Sequence, residues 1–340
     1  MKSKKVNTGF VGLGENGQAH LEAHLKNSKS NVVAIYDRNE QLLKTVGKKY
    51  GISKLYHDDS FYEDKNIDAI TINTGDDEHY QPFIDSIRHG KHILIEKPVA
   101  NTEQELIDMV TEAQKTDPSL KIQVGYILRF NPVFEEIHRL AHQGSLGNIY
   151  YLEGDYVHNL LCQRQMRNWK LEKEIPMVGG GSHPIDLLRW ITGKEITRVT
   201  GFSCKFVFPE MTSDDCQVAI FQFTDKTIAK VAALYAPRME MAPYYNLRVY
   251  GTSGTVERDQ VAIARCDEDH HPQFKPVNAT RTIGHPYDPE IEDWLDAILE
   301  DKPTRINFYD GANSTMATLC ACRAITEGCS IEVPIFKPKK

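Results

Sequence analysis

"VNTGFVGLGENGQAHLEAHL", residues 6–25, is the stretch on which the fold turns. A short β-branched run leads into Gly12, Gly14 and Gly17 at GxGxxG spacing, and a helical pattern follows. Gly12 permits the tight turn, Gly14 lets the backbone approach a pyrophosphate, and Gly17 lets helix and strand pack closely. The helix start then offers unpaired N–H groups and a positive dipole end to phosphates. Glu15 and Asn16, inside the loop, join the glycines as candidate cofactor contacts. Three glycines alone are a weak signal, and the next strand strengthens it. "VVAIYD" ends in Asp37, about twenty residues past Gly17, where an acid bonds the adenosine ribose hydroxyls. That acid repels a 2′-phosphate and favours NAD. Arg38 beside it accommodates such a phosphate, which keeps NADP as the alternative.

Outward from this loop, residues 1 to 125 alternate strand and helix signals. "NVVAIYD", "AITINT", "HILIE" and "KIQVG" are apolar runs of the kind a parallel sheet buries on both faces. Tyr80, Phe83, Ile84 and Ile87 recur at helical spacing between them, as do Leu106, Met109, Val110 and Ala113. The pattern predicts an α/β, doubly wound parallel Rossmann domain. From residue 126 to 340 the rhythm changes. A helix after Pro132 is followed by "IYYLEGDYVH", "ITRVTGFSCKFVF", "CQVAIFQF", "TIAKVAALYA" and "YYNLRVYG". Consecutive strands predict an α+β domain with an open, mostly antiparallel sheet. The helices after Asp288-Pro289 and near Asp310 are expected to cover one face of it.

Composition narrows the function classes. A chain of 340 residues holds two domains with their own cores, and its net charge of -7 argues against nucleic-acid partners. No apolar run approaches the roughly 20 residues that span a bilayer, and the N-terminus has no signal-peptide core. Seven cysteines, none in a CxxC pair, fit a reduced cytoplasmic protein. "DEDHH", residues 267–271, reads as a solvated loop, so no metal site is expected. "RNWKLEKE" reads as a charged loop over the crevice, and the "CAC" near the C-terminus as helix core.

Two further segments carry chemistry. In "HILIEKP" a buried strand ends in Glu96 and Lys97, at the edge where open parallel sheets bind ligands. A hydride leaving a carbinol carbon requires the hydroxyl proton to leave too, and a poised amine takes it. An ordinary lysine titrates at about 10.4, so service as a base near pH 7 requires a bias of about 4 kcal/mol, from desolvation and a cationic nicotinamide. On this segment alone, a surface lysine paired with Glu96 reads equally well. In "GGGSHPIDLLRWITG", residues 179–193, Pro184 suits a first helical turn, with His183 and Asp186 on that turn. The glycines leave room for a ligand to approach the backbone. The plainer alternative is that Ser182 or His183 caps the helix and Asp186 complements its dipole.

Together, "GLGENG", "EKP" and "GGGSHPIDLLRW" resemble the Gfo/Idh/MocA oxidoreductase family, over nearly the whole chain. "NTGDDEHYQPFIDSIRHGKHILIEKP", "GYILRFNP" and "HPYDPEIEDWLDAI" look like its intermediate landmarks. The resemblance implies a nicotinamide-dependent dehydrogenase or reductase of sugars, cyclitols or related polyols. It further implies a homodimer or homotetramer assembled through the C-terminal sheet. Carried over position by position, Lys97 matches the acid/base lysine, His183 the catalytic histidine, and Asp186 the aspartate one turn later. His79 and Glu96 match positions lining the nicotinamide pocket, and Thr74 is a further candidate cofactor contact. Tyr126 and Arg129 match positions near substrate, and Tyr156, His158 and Trp169 match the pocket wall. One departure stands out: many members carry an aspartate four residues before the histidine, and here that residue is Gly179, which leaves Asp186 to substitute for it or His183 to act mainly as an orienting hydrogen-bonder. Two other readings use the same residues. In one, oxidation of a glycoside at C3 is transient, enabling elimination or epimerisation with the cofactor recycled in place. In the other, the chain is a non-catalytic sensor of NAD or sugar.

Overall fold

The alternation in the N-terminal half becomes a single parallel sheet. The structure is a computed structural model, describing residues 4–160, 172–237, 245–264, 272–282 and 284–338. Strands β1 (Val6–Val11), β2 (Ser30–Tyr36), β3 (Leu55–Tyr56), β4 (Ala69–Ile72), β5 (His92–Ile95) and β6 (Ile122–Val124) lie in the order β3-β2-β1-β4-β5-β6, every pair parallel. Direction of strand addition reverses between β1 and β4, which opens a crevice at the carboxyl ends of these strands. The edge strand β3 pairs only at Ile35↔Leu55 and Tyr36↔Tyr56. Two residues carry no periodicity, so it has no signature in the sequence.

Helices α1 (Glu15–Lys26), α2 (Glu40–Tyr50), α3 (Ser60–Glu63), α4 (Tyr80–Arg88) and α5 (Glu103–Ala113) connect these strands. Asn39 caps α2 by accepting from Leu42 N–H, and Gly51 closes it in the left-handed region. Thr102 caps α5 through Glu105 N–H. On one side of the sheet Phe10 and Ile35 pack with Leu21, Leu43 and Val46.

Among the described residues the second sheet has nine strands. These are β7 (Ile149–Val157), β8 (Ile196–Cys204), β9 (Cys216–Phe223), β10 (Ile228–Leu234), β11 (Tyr245–Gly251), β12 (Gly254–Glu257), β13 (Gln260–Ile263), β14 (Lys275–Pro276) and β15 (Ile331–Glu332), ordered β14-β13-β12-β11-β7-β10-β9-β8-β15. All pairs are antiparallel except β7 with β10, so the sheet is mixed but mostly antiparallel. Helices α6 (Pro132–His142), α7 (Ser182–Thr192), α8 (Tyr287–Glu300) and α9 (Phe308–Glu327) complete the chain. Pro184 and Leu188 of α7 press on Gly154, and Ile325 of α9 presses on Gly201, so both helices cover the same face. Cys320 of the "CAC" run is buried in α9.

Compactness divides the chain differently from its rhythm. One unit comprises residues up to Ile127, His285–Ala312 and the segment from Phe336; the other comprises Leu128–Gly284 and Asn313–Ile335. Helix α8, expected on the second sheet, packs on the first. Its Ile291, Trp294 and Leu295 form a core with Val6, Ala23, Ala69 and Leu94. The apolar stripe at helical spacing is plain in sequence, but a stripe does not specify which sheet will cover it. Among the described residues, no helix is long and apolar enough to cross a membrane.

Candidate active site

In the first unit the glycine loop does what its spacing requires. Gly12 has φ +86°, and a side chain there would strike the Asn73 carbonyl at 2.6 Å. A Cβ on Gly17 would overlap Gly12 O, whereas Gly14 has open space around it. Gly14 gives α1 no side-chain cap, so the exposed start of the helix turns its first N–H groups and its positive dipole end outward. Beside the loop, Asn73 is buried with neither amide atom hydrogen-bonded. Buried amides normally find partners, so the orphaned Asn73 amide fits a site for a polar ligand. Asp37 ends β2 as expected; its Oδ2 accepts from Leu13 N–H at 2.8 Å and its Oδ1 from Asn39 N–H at 2.8 Å. The exposed Arg38 is paired with Glu78, and Thr74 Oγ1 donates to the Glu78 carbonyl at 3.1 Å.

His79 is buried and donates from Nδ1 to the Pro98 carbonyl at 2.7 Å, leaving Nε2 without a hydrogen-bond partner. Lys97, half-buried, lies two residues past the end of β5. Its main-chain N–H donates to Glu96 Oε2 at 3.2 Å. The Glu96 carboxylate is enclosed: its other oxygen lies 2.7 Å from His20 Nε2. Burial raises its pKa, but the His20 hydrogen bond and charge, the Lys97 charge and an Asn16 hydrogen bond outweigh burial and hold it below the ordinary range. Tyr287 donates to Asn16 Oδ1 at 2.5 Å, and its ring lies 4.6 Å from that of His20. Sequence reasoning misses His20 and Tyr287, because a histidine inside a helix and a tyrosine far downstream give no local cue. Glu290, on α8, is fully buried with both carboxyl oxygens unpartnered, and burial pushes its pKa well up.

The second unit builds its own cluster against α7, where β7 and β10 end and β11 begins. Tyr156 pairs in register with Tyr245 on one side and Ala233 on the other. His183, in the first turn of α7, is buried with its ring stacked on Tyr156 at 6.5 Å and edge-on to Tyr245 at 6.1 Å. His158 Nδ1 is 3.1 Å from the Tyr156 hydroxyl. A π-helical turn, Met177–Gly181, leads straight into α7. Such wide turns often mark functional sites. The helix start carries no side-chain cap and Ser182 Oγ has no partner, so Ser182 does not cap this helix.

Three expectations change here. The glycine run makes room for protein neighbours: a Cβ on Gly180 would overlap the Tyr156 ring, and one on Gly181 would meet Met177 Sδ at 2.7 Å. Asp186 does not stand ready to replace a missing carboxylate. Arg129 donates to it through Nε at 2.8 Å and Nη2 at 2.5 Å, and Ser314 Oγ donates to Oδ1 at 2.6 Å. Arg129 and Asp186 are both buried, so the pair braces α7, and Arg129 is committed to it. Tyr126 in the first unit is likewise wholly buried. Trp169 and the "DEDHH" segment lie outside the described residues.

Family models match both halves of the chain. Residues 6–126 match the model described as "Oxidoreductase family, NAD-binding Rossmann fold", and residues 134–257 match the GFO/IDH/MocA C-terminal domain. The chain belongs to the Gfo/Idh/MocA family. Among curated relatives, an inositol 2-dehydrogenase of Acidothermus cellulolyticus is 23% identical over 95% of this chain and 93% of its own. Inositol 2-dehydrogenase 2 of Saccharopolyspora erythraea is 29% identical, over 57% of this chain and 56% of that one. The scyllo-inositol dehydrogenase of Lactobacillus casei, solved with NAD(H) and scyllo-inositol, superposes with a TM-score of 0.81 at 21% identity, over 97% of this chain and 99% of that one. At that identity the superposition establishes the fold. For a Gfo/Idh/MocA chain, the open Gly14, the uncapped α1 start and the orphaned Asn73 amide are the features that fit NAD.

Proposed function

We propose that this protein is an NAD-dependent dehydrogenase that oxidises a secondary alcohol of a cyclitol or sugar, reversibly. The observation that carries the reading is Lys97, set at the carboxyl end of β5 next to an ionised, enclosed Glu96. Gly12, Gly14, Gly17, the α1 start, Asp37, Asn73 and His79 would hold NAD, whose nicotinamide supplies the hydride acceptor. Lys97 is the group assigned to exchange the proton of the reacting hydroxyl, and His183 is a substrate-binding imidazole of the second unit. Glu96, fixed by His20, anchors the lysine's main chain. The inositol dehydrogenases among its relatives support cyclitols as the first substrates to try. A screen of inositols, sugars and glycosides with NAD and NADP, read at the reduced-nicotinamide absorbance band, tests it. Absence of reduced cofactor with every polyol would refute the assignment.

The same reading includes a cytoplasmic location and a homo-oligomer. Supporting the oligomer, Phe202, Ile220 and Ile228 are exposed on the sheet face opposite α7 and α9. Sedimentation of the wild type beside Phe202→Asp measures it: an association that the aspartate weakens is expected.

A further inference from the structure

One helical turn ahead of His183 the chain has no side chain, because residue 179 is glycine. The space is nevertheless filled. A Cβ on Gly179 would overlap Glu174 Oε1 and would lie 2.6 Å from the Tyr235 hydroxyl. The Tyr235 hydroxyl donates to that same Oε1 at 2.9 Å. Glu174 therefore reaches, from five residues upstream, the surface that a side chain at 179 would otherwise occupy. Its segment is tied down: Ser213 Oγ donates to the Glu174 carbonyl at 2.7 Å, Thr212 N–H to the Glu172 carbonyl at 3.0 Å, and Met177 N–H to Gln217 Oε1 at 2.9 Å. Tyr235 in turn lies against Tyr156, with ring centroids 6.0 Å apart, and Tyr156 stacks on His183. Contacts thus run in series from the Glu174 carboxylate through Tyr235 and Tyr156 to His183. Glu174 is only half-buried.

We propose that Glu174 is the substrate-binding carboxylate of the His183 site, and that glycine at 179 is what admits it. An ionised carboxylate only accepts hydrogen bonds, and its two oxygens suit the adjacent hydroxyls of a vicinal diol. With about four lone-pair sites, it can accept from Tyr235 and from a substrate together. The inference rests on the polyol-dehydrogenase reading and adds a specificity residue to it. In sequence, Glu174 ends "RNWKLEKE", the charged loop expected over the crevice, where nothing sets it apart from the neighbouring charges.

A four-protein cycle tests it: wild type, Glu174→Ala, Gly179→Asp and the double variant, each assayed for thermal unfolding and for kcat/KM on the best polyol with NAD. Glu174→Ala should lower kcat/KM at least tenfold, mainly through the KM for polyol, with NAD affinity unchanged. Gly179→Asp alone should lower both Tm and activity, because its Cβ meets Glu174. In the double variant the introduced aspartate occupies the vacated space and should recover much of both losses. Additive Tm changes would show that the two positions do not compete, and would overturn the inference whatever the activity. A wild-type kcat/KM for Glu174→Ala, or a double variant no better than it, would overturn the binding role. If the unmodified enzyme oxidises no polyol, the dehydrogenase reading falls and this role falls with it, while a coupled Tm cycle would still confirm the geometry.

Discussion

Nε2 of His20 stands 2.7 Å from Oε1 of Glu96, joining α1 to the residue that follows β5. The contact lets a carboxylate stay ionised in an enclosed place, immediately before the lysine proposed to move the proton. Removing a hydrogen bond to a buried charged group costs about 1.5–3 kcal/mol, so His20→Ala should lower unfolding stability by about that much in urea. The sign of its pH dependence follows from the depressed folded-state pKa of Glu96. Such a group stabilises the fold above the unfolded carboxylate range, about 4.3, and that support is lost as pH falls through the lower folded value. Wild-type stability should therefore decline more steeply on acidification than that of His20→Ala. Parallel pH profiles for the two proteins would exclude this role for His20.

Arg129 and Asp186 yield a second expectation. Both side chains are almost fully withdrawn from solvent and joined by two hydrogen bonds. Breaking such a pair strands a buried charge, at a cost of about 3–5 kcal/mol, whereas replacing both partners with apolar residues of similar volume is far milder. Arg129→Met should be the less stable protein and Arg129→Met/Asp186→Leu the more stable one, in guanidinium unfolding. The reverse order would mean that Asp186 is held by its other neighbours, Ser314 among them.

That pair also shows what a sequence conceals. The first sheet is legible because its information is local: an apolar run, glycines with distinct steric duties, and an acid at the next strand end. Lys97 and His183 stand out because each breaks a local pattern, a charge at the mouth of a buried strand and an imidazole on a glycine-led helix start. Asp186 is visible as an acid on that helix, but its partner lies 57 residues earlier in the chain. The apolar stripe of α8 is equally visible, yet nothing in Ile291, Trp294 or Leu295 says that Val6 and Leu94 will cover them. Glu174 hides for a related reason: only the fold brings Tyr235 and the side-chain-free backbone of Gly179 to it.

Cofactor choice should follow the neighbours of Asp37. Its carboxylate is fixed by two main-chain donors, and Arg38 next to it is paired with Glu78. An arginine engaged by a carboxylate is a poor host for a 2′-phosphate, so NAD should be strongly preferred. Glu78→Gln alone should change little, since Asp37 still repels the phosphate. Asp37→Ser with Glu78→Gln should move the ratio of kcat/KM for NADP over NAD upward by about tenfold or more, equivalent to about 1.4 kcal/mol. A large gain from Glu78→Gln by itself would shift the discriminating role from Asp37 to the arginine.

Lys97 is the sharpest case. It emerges from β5 with its main-chain N–H on Glu96, and its side chain is only half-buried, so truncation should leave the sheet intact. General acid–base groups contribute about 10²- to 10⁴-fold to turnover. Lys97→Ala should accordingly cut kcat by about 10² or more, while the dissociation constant for NAD stays within a few-fold and Tm within a few degrees. The pattern separates three roles. A cofactor-binding lysine would weaken NAD and leave kcat largely intact at saturation. A merely structural lysine would lower Tm and activity together. Only a proton-exchanging lysine loses kcat alone, and a small primary amine added to the Lys97→Ala protein should then restore part of the rate in proportion to its concentration.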